Sequence, residues 1–200
     1  ALLPDSLDAR KKRVIADHLR GACFLIADGL RPSNKGAGYV LRRLMRRVIL
    51  YGYLHQPPPH LMDSLLHEII HQYGPVYPEL TKNGEVVRQE FQSERDTFYP
   101  TLEKGLKEFR RFVAEEGIAA WGASGRTQER RYPQIGEKAF EWHQTYGFPI
   151  ELVIEVLKEE EGVYFPSEGE NVIRAKFDAE FTRHQEVSRA GQERKFVGHG

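Results

Sequence analysis

The sequence predicts an all-α protein: a multi-helix bundle with a long central helix and little or no β structure. Three observations carry this. Apolar residues recur at three- and four-residue spacing through most of the 200-residue chain. Proline- and glycine-rich breaks separate those stretches. No convincing apolar–polar alternation marks a strand, although the polar stretch Thr127–Tyr132 could hold a short hairpin strand at most.

The first helix is expected from Asp8 to about Ala27, with Val14, Ile15, Leu19, Ala22 and Ile26 on one face. Asp28-Gly29 ends it, and Pro32-Ser33-Asn34-Lys35-Gly36 is turn chemistry. Tyr39–Tyr53 is the cleanest helix. At 100° per residue, Val40, Leu41, Leu44, Met45, Val48 and Ile49 fill one half of its wheel. Arg42, Arg43, Arg46 and Arg47 fill the other. Pro57-Pro58-Pro59 breaks the chain before a helix at Leu61–Tyr73, and Pro75 and Pro78 bound a short turn.

The long helix is expected over Leu80–Glu116, with Phe91, Phe98, Leu102, Leu106, Phe109 and Val113 as its stripe. Pro100 should kink or split it, because a helix-interior proline removes a hydrogen bond and crowds the preceding turn. Residues 117–133 read as a Gly-rich loop. Gly136–Tyr146 is helical, and Gly147-Phe148-Pro149 turns the chain. Pro149 suits the first turn of a helix to about Glu161. A last helix runs from Glu168 to about Arg189, before a polar tail.

With 40% apolar residues the chain can build a packed core, which argues against wholesale disorder. No apolar run approaches the roughly 18 residues of a membrane span. No signal peptide is visible, and the missing initiator Met points to a processed chain or an excised fragment. Cys23 is the single cysteine, so an intramolecular disulfide is impossible and a reduced, cytoplasmic setting is expected.

Net charge is zero, with 29 basic and 29 acidic residues, yet the charge is unevenly placed. Residues 1–47 hold 11 Lys+Arg and 4 Asp+Glu, a net of +7, and the remainder balances it. From Arg31 to Arg47 there are six basic residues and no acid. Like charges one helical turn apart cost a few tenths of a kcal/mol each. A helix carrying that cost should meet phosphate or acidic side chains. Arginine forks suit phosphate, and Asn34 in the preceding loop can both donate and accept at a base edge. Two readings stand at this point: a nucleic-acid surface, or an internal salt-bridge surface.

His67-Glu68-Ile69-Ile70-His71 matches the H-E-x-x-H metalloprotease pattern, with Glu90 or Glu94 available as a third ligand. The pattern fixes only three positions. The plain alternative is an amphipathic helix whose Leu65, Leu66, Ile69 and Ile70 pack inward.

Several ordered blocks resemble the alanyl-tRNA synthetase family, in the helical middle domain that follows its catalytic domain. They are Arg13-Val14-Ile15-Ala16-Asp17-His18-Leu19-Arg20 and Phe24-Leu25-Ile26-Ala27-Asp28-Gly29, then Pro32-Ser33-Asn34 and Gly38-Tyr39-Val40-Leu41-Arg42-Arg43-Leu44-Met45-Arg46-Arg47. Tyr77-Pro78-Glu79-Leu80, Thr101-Leu102-Glu103-Lys104-Gly105-Leu106 and Thr145-Tyr146-Gly147-Phe148-Pro149 follow. His184–Arg189 is similar to the segment leading into the family's editing domain.

The resemblance implies residues 1–150 as a domain recognising the tRNA-Ala acceptor stem and its G·U wobble pair, and 151–200 as a helical continuation and linker toward an editing domain. It implies Asn34 as a reader of the pair, and Lys35, Arg42, Arg43, Arg46 and Arg47 as contacts to the same stem. A second reader is typically aspartate in the family; here the position is Gln144. Ala37 stands where the family often has arginine.

The whole enzyme would use ATP and Mg2+, with zinc in its editing domain. This chain shows none of those motifs, so no catalytic residue, metal site or cofactor is expected in it. Its expected partners are the tRNA-Ala acceptor stem and the catalytic and editing domains of the same enzyme, with neither membrane nor DNA. The H-E-x-x-H helix then takes a structural position. The departures at Gln144 and Ala37 keep one alternative open, a helical protein–protein interaction module that no longer reads tRNA.

Overall fold

A computed structural model describes residues 3, 7–55, 60–116, 131–159 and 166–197. The described residues form eight helices and no strand: α1 Ala9–Ala27, α2 Gly36–His55, α3 Leu61–Tyr73, α4 Pro78–Lys82, α5 Gly84–Glu115, α6 Tyr132–Tyr146, α7 Ile150–Glu159 and α8 Ser167–Val197. The chain divides into two compact units, Ala1–Leu102 and Glu103–Gly200, with the division falling inside α5.

In the first unit α1 packs on α2, α3 and α4. Asp8 caps α1 by accepting the Lys11 N–H at 2.9 Å, and this bond is the main reason its carboxyl lies below the ordinary carboxylate range. Ile15, Leu19, Ala22, Cys23 and Ile26 form the buried stripe. The Asn83 side-chain amide donates to the Ala27 carbonyl at 3.0 Å, tying the break between α4 and α5 to the end of α1. In α3 only Leu66 is buried; Leu65, Ile69 and Ile70 are half-buried, so the expected four-residue inward face is only partly covered.

Three helix starts differ from the sequence reading. The long helix α5 begins at Gly84, not Leu80; Leu80 lies in the separate short helix α4, which closes where the Asn83 N–H donates to the Glu79 carbonyl at 2.9 Å. Helix α2 begins at Gly36, three residues before Tyr39, because the Tyr39 N–H already bonds the Lys35 carbonyl at 3.2 Å. Helix α6 begins at Tyr132, not Gly136, with Pro133 in its first turn, where a missing N–H costs nothing. That places Tyr132 and Pro133 in a helix, away from the expected loop or hairpin strand. The rest of that expectation, residues 117–130, lies outside the described residues.

Pro100 does not split α5, which runs unbroken from Gly84 to Glu115. Pro100 and Asp96 are both exposed, so water can satisfy the Asp96 carbonyl that loses its donor. The Thr97 and Thr101 hydroxyls donate to the Ser93 and Phe98 carbonyls, each at 2.8 Å, adding bonds on either side of the proline.

In the second unit Trp142 of α6 meets Phe109 and Phe112 of α5, with ring centroids 5.0 and 5.4 Å apart. Helix α7 follows Pro149 and buries Leu152, Val153, Ile154, Val156 and Leu157 on one broad face, while Glu151, Glu155 and Lys158 share the opposite side. Helix α8 packs along α6 through Ile173 and Phe177. Its Glu170 binds Lys158 of α7 at 2.5 Å and Arg174 at 2.8 Å. The Lys158 bond is the largest of the effects holding the Glu170 carboxyl below its usual range. Helix α8 extends beyond the expected end near Arg189 to Val197.

Candidate nucleic-acid interface

The turn between α1 and α2 is organised by Ser33. Its N–H donates to the Gly38 carbonyl at 3.1 Å, and its hydroxyl donates to the Lys35 carbonyl at 3.0 Å. The turn can lie this close to α2 only because residue 38 lacks a side chain. A Cβ there would stand 2.2 Å from Ser33 Oγ and 2.6 Å from the Arg31 carbonyl oxygen. Asn34 and Lys35 are left exposed on the turn.

The arginines do not behave as one set. Arg42 Nε donates to Glu94 Oε2 at 3.2 Å, its Nη2 donates to the Pro32 carbonyl at 3.4 Å, and its Nη1 donates to Asn34 Oδ1. Arg46 Nε donates to Glu94 Oε1 at 2.5 Å, with its guanidinium 4.6 Å above the Phe98 ring. Arg47 is half-buried and engaged within the protein. Arg43 is exposed, with no hydrogen bond or ion pair to any described residue.

Arg31 adds a second staple, from Nη1 to the Ile26 and Leu30 carbonyls at 3.1 and 2.9 Å and from Nε to Glu90 Oε1 at 3.1 Å. Glu90 and Glu94, one turn apart on α5, thus hold both ends of the turn through Arg31 and Arg42.

The sequence reading takes these two glutamates only as possible metal ligands. The signal it misses is positional. Glu94 falls on the apolar stripe of α5, between Phe91 and Phe98, and is only 6% exposed. A carboxylate in that register needs cations beside it, and α2 is the helix with cations and no acids.

The H-E-x-x-H pattern has no third partner among the described residues. His67, Glu68 and His71 lie on α3, and the two imidazole rings stack at 6.1 Å. Among the described residues no group of three or more His, Cys, Asp or Glu side chains is arranged to hold a metal ion.

A sequence model of the family described as tRNA synthetases class II (A) matches residues 5–196. The chain is similar to the alanine–tRNA ligase of Treponema pallidum (strain Nichols), 38% identical over 190 residues, covering 93% of this chain and 28% of that protein. The alanine–tRNA ligase of Aromatoleum aromaticum (strain DSM 19018 / LMG 30748 / EbN1) is 37% identical over 184 residues, 92% of this chain and 19% of that protein. This chain belongs to the alanyl-tRNA synthetase family. It spans about a fifth of the length of one of those relatives (19%) and somewhat more than a quarter of the other (28%).

Gln144, the second residue named by the synthetase resemblance, lies beside a well-anchored turn of the second unit. Gln144 is exposed on the last turn of α6. Gly147 follows with φ +69°, a left-handed cap that glycine adopts without strain. The Gly147 N–H donates to the His143 carbonyl at 2.9 Å, and His143 Nδ1 lies 3.0 Å from the Phe148 carbonyl oxygen. Phe148 is fully buried, which anchors the turn.

Cys23 plays no part in a site of this kind. It is buried, and loss of hydration pushes its thiol up to about 12. We therefore expect no alkylation of Cys23 in the folded chain at about pH 8, and full alkylation once denaturant unfolds it. Fast labelling of the native protein would contradict that placement.

Proposed function

We propose that this chain is the tRNA-recognition part of an alanine–tRNA ligase and binds the acceptor stem of tRNA-Ala around its G·U pair. The observation that carries the reading is the Ser33–Gly38 turn. The turn exposes an amide and a cation, Asn34 and Lys35, and the following helix α2 exposes a second cation, Arg43, close by in sequence. Lys35 and Arg43 suit phosphate, Asn34 suits a base edge, and Arg47 contributes to the same positive face. Gln144 is the second proposed reader, from its own unit. Arg42 and Arg46, engaged by Glu94, support the surface from within. The catalytic and editing parts of the longer ligase would supply the ATP-dependent chemistry, in the cytoplasm. No helix among the described residues is long and apolar enough to cross a membrane.

The test is a titration with a labelled acceptor-stem hairpin across a range of salt concentrations. Affinity should fall linearly on a logarithmic salt axis, because each phosphate contact releases counterions. Arg43→Ala should weaken binding and reduce the slope by about one. Salt-independent binding, or none at low salt, would contradict the proposal.

A further inference from the structure

Asn34 carries one acceptor oxygen, with two lone pairs, and two N–H donors on its side chain, and the end that faces a ligand decides what it can read. A primary amide is usually ambiguous in this respect, since a half-turn exchanges oxygen and nitrogen. Here the neighbour removes the ambiguity. A guanidinium has five N–H donors and no acceptor, so only the amide oxygen of Asn34 can face Arg42 Nη1. Turned the other way, N–H would point at N–H.

Arg42 has little freedom of its own. Its Nε is on Glu94 at 3.2 Å and its Nη2 on the Pro32 carbonyl at 3.4 Å. Glu94 is in turn buried and shared with Arg46. A line of contacts therefore runs from the stripe of α5 to an exposed amide whose two remaining groups are N–H.

We infer that Arg42, braced by Glu94, is a positioning residue that fixes Asn34 as a donor-only reader. The amino end that faces away from Arg42 then pairs with a carbonyl oxygen or ring nitrogen of the base pair rather than with an exocyclic amino group. This rests on the acceptor-stem reading above. One consequence concerns the wobble pair: the guanine amino group, a donor, needs an acceptor other than Asn34. A second concerns Arg42, whose removal costs reading and leaves the phosphate grip alone.

The experiment uses the full chain and has an arm with RNA and an arm without. Without RNA, the side-chain amide signals of Asn34 are followed by NMR in the wild type and in Arg42→Gln. They should move when the guanidinium is lost. Unchanged signals overturn the inference, whatever the chain binds.

With RNA, preference is measured as the affinity ratio for hairpins carrying G·U or G·C. Arg42→Gln should lose about tenfold in that ratio, the size of one good base contact, with the salt slope unchanged. Asn34→Asp keeps an oxygen for Arg42 and preserves the fold, but supplies no donor, so its ratio should fall as far as that of Asn34→Ala. An Asp variant that keeps the preference overturns the inference.

Inosine in place of the guanine removes the amino group alone. The affinity cost of Asn34→Ala should be the same on the inosine and guanine hairpins. A cost that vanishes with inosine makes the amino group Asn34's partner and overturns the inference. A wild-type chain with no preference at all refutes the acceptor-stem reading by itself, and the NMR arm still decides whether Arg42 holds the amide.

Discussion

Glu94→Ala is expected to destabilise the chain by about 3 kcal/mol, the lower end of the cost of leaving a buried charge without its partner. The lower end applies because the cations are not sealed off: the side chains of Arg42 and Arg46 are 24% and 15% exposed. They can recover part of their hydration when the carboxylate is removed. The deleted Cγ methylene and carboxyl group also leave a gap between Phe91 and Phe98, which adds to the loss. Urea unfolding followed by circular dichroism measures it. Asp17→Ala is the control, since the exposed Arg20–Asp17 pair at 2.9 Å should change stability by less than about 1 kcal/mol. A Glu94→Ala variant as stable as the control would show that the glutamate does not hold the two arginines.

Gly38→Ala has the second large effect, and its sign is decided by two opposing magnitudes. Alanine inside a helix gains up to about 1 kcal/mol over glycine. Against that, the new Cβ would sit 2.6 Å from a backbone carbonyl oxygen and 2.2 Å from Ser33 Oγ. The Arg31 carbonyl belongs to the main chain and cannot rotate away, so the turn has to move, at a cost of roughly 1–3 kcal/mol. The net expectation is a loss of stability together with loss of the Asn34–Arg42 bond and of base-pair preference. On the same helix, a Cβ added at Gly52 would meet nothing within 4 Å, so Gly52→Ala should stabilise by about 0.5–1 kcal/mol. A Gly38→Ala chain as stable as Gly52→Ala, with preference intact, would contradict the close approach described for the turn.

Much of the fold was legible because helix stripes are local. Ile15, Leu19, Ala22 and Ile26, and likewise Leu41, Met45, Val48 and Ile49, are buried as their spacing predicts. Val40, on the edge of the same predicted face, is 44% exposed. A wheel assigns a half-circle, but the neighbouring helices cover their own arc of it. Thus Leu50 and Tyr51 are buried as well, outside the expected stripe.

The site was legible in its residue types and not in their roles. Asn34, Lys35 and Arg43 are exposed as a surface reading requires, whereas Arg42 and Arg46 lie against Glu94, 52 and 48 residues away in sequence. That pairing is a tertiary fact. Neither helix alone reveals it, although a carboxylate inside an apolar stripe and a helix of unopposed arginines each ask for the other. Of the two open readings of the basic helix, phosphate surface or internal salt bridge, α2 holds residues suited to both.

We propose that the turn before α2 lets Asn34 read a base pair. The most direct measurement is the affinity ratio for G·U over G·C acceptor-stem hairpins, taken at one salt concentration with the wild-type chain and with Asn34→Ala. The wild type should clearly prefer the wobble pair, and that preference should fall in the variant by a factor corresponding to about 1–3 kcal/mol. Equal ratios for the two proteins would contradict it, leaving a surface that grips phosphate without reading bases.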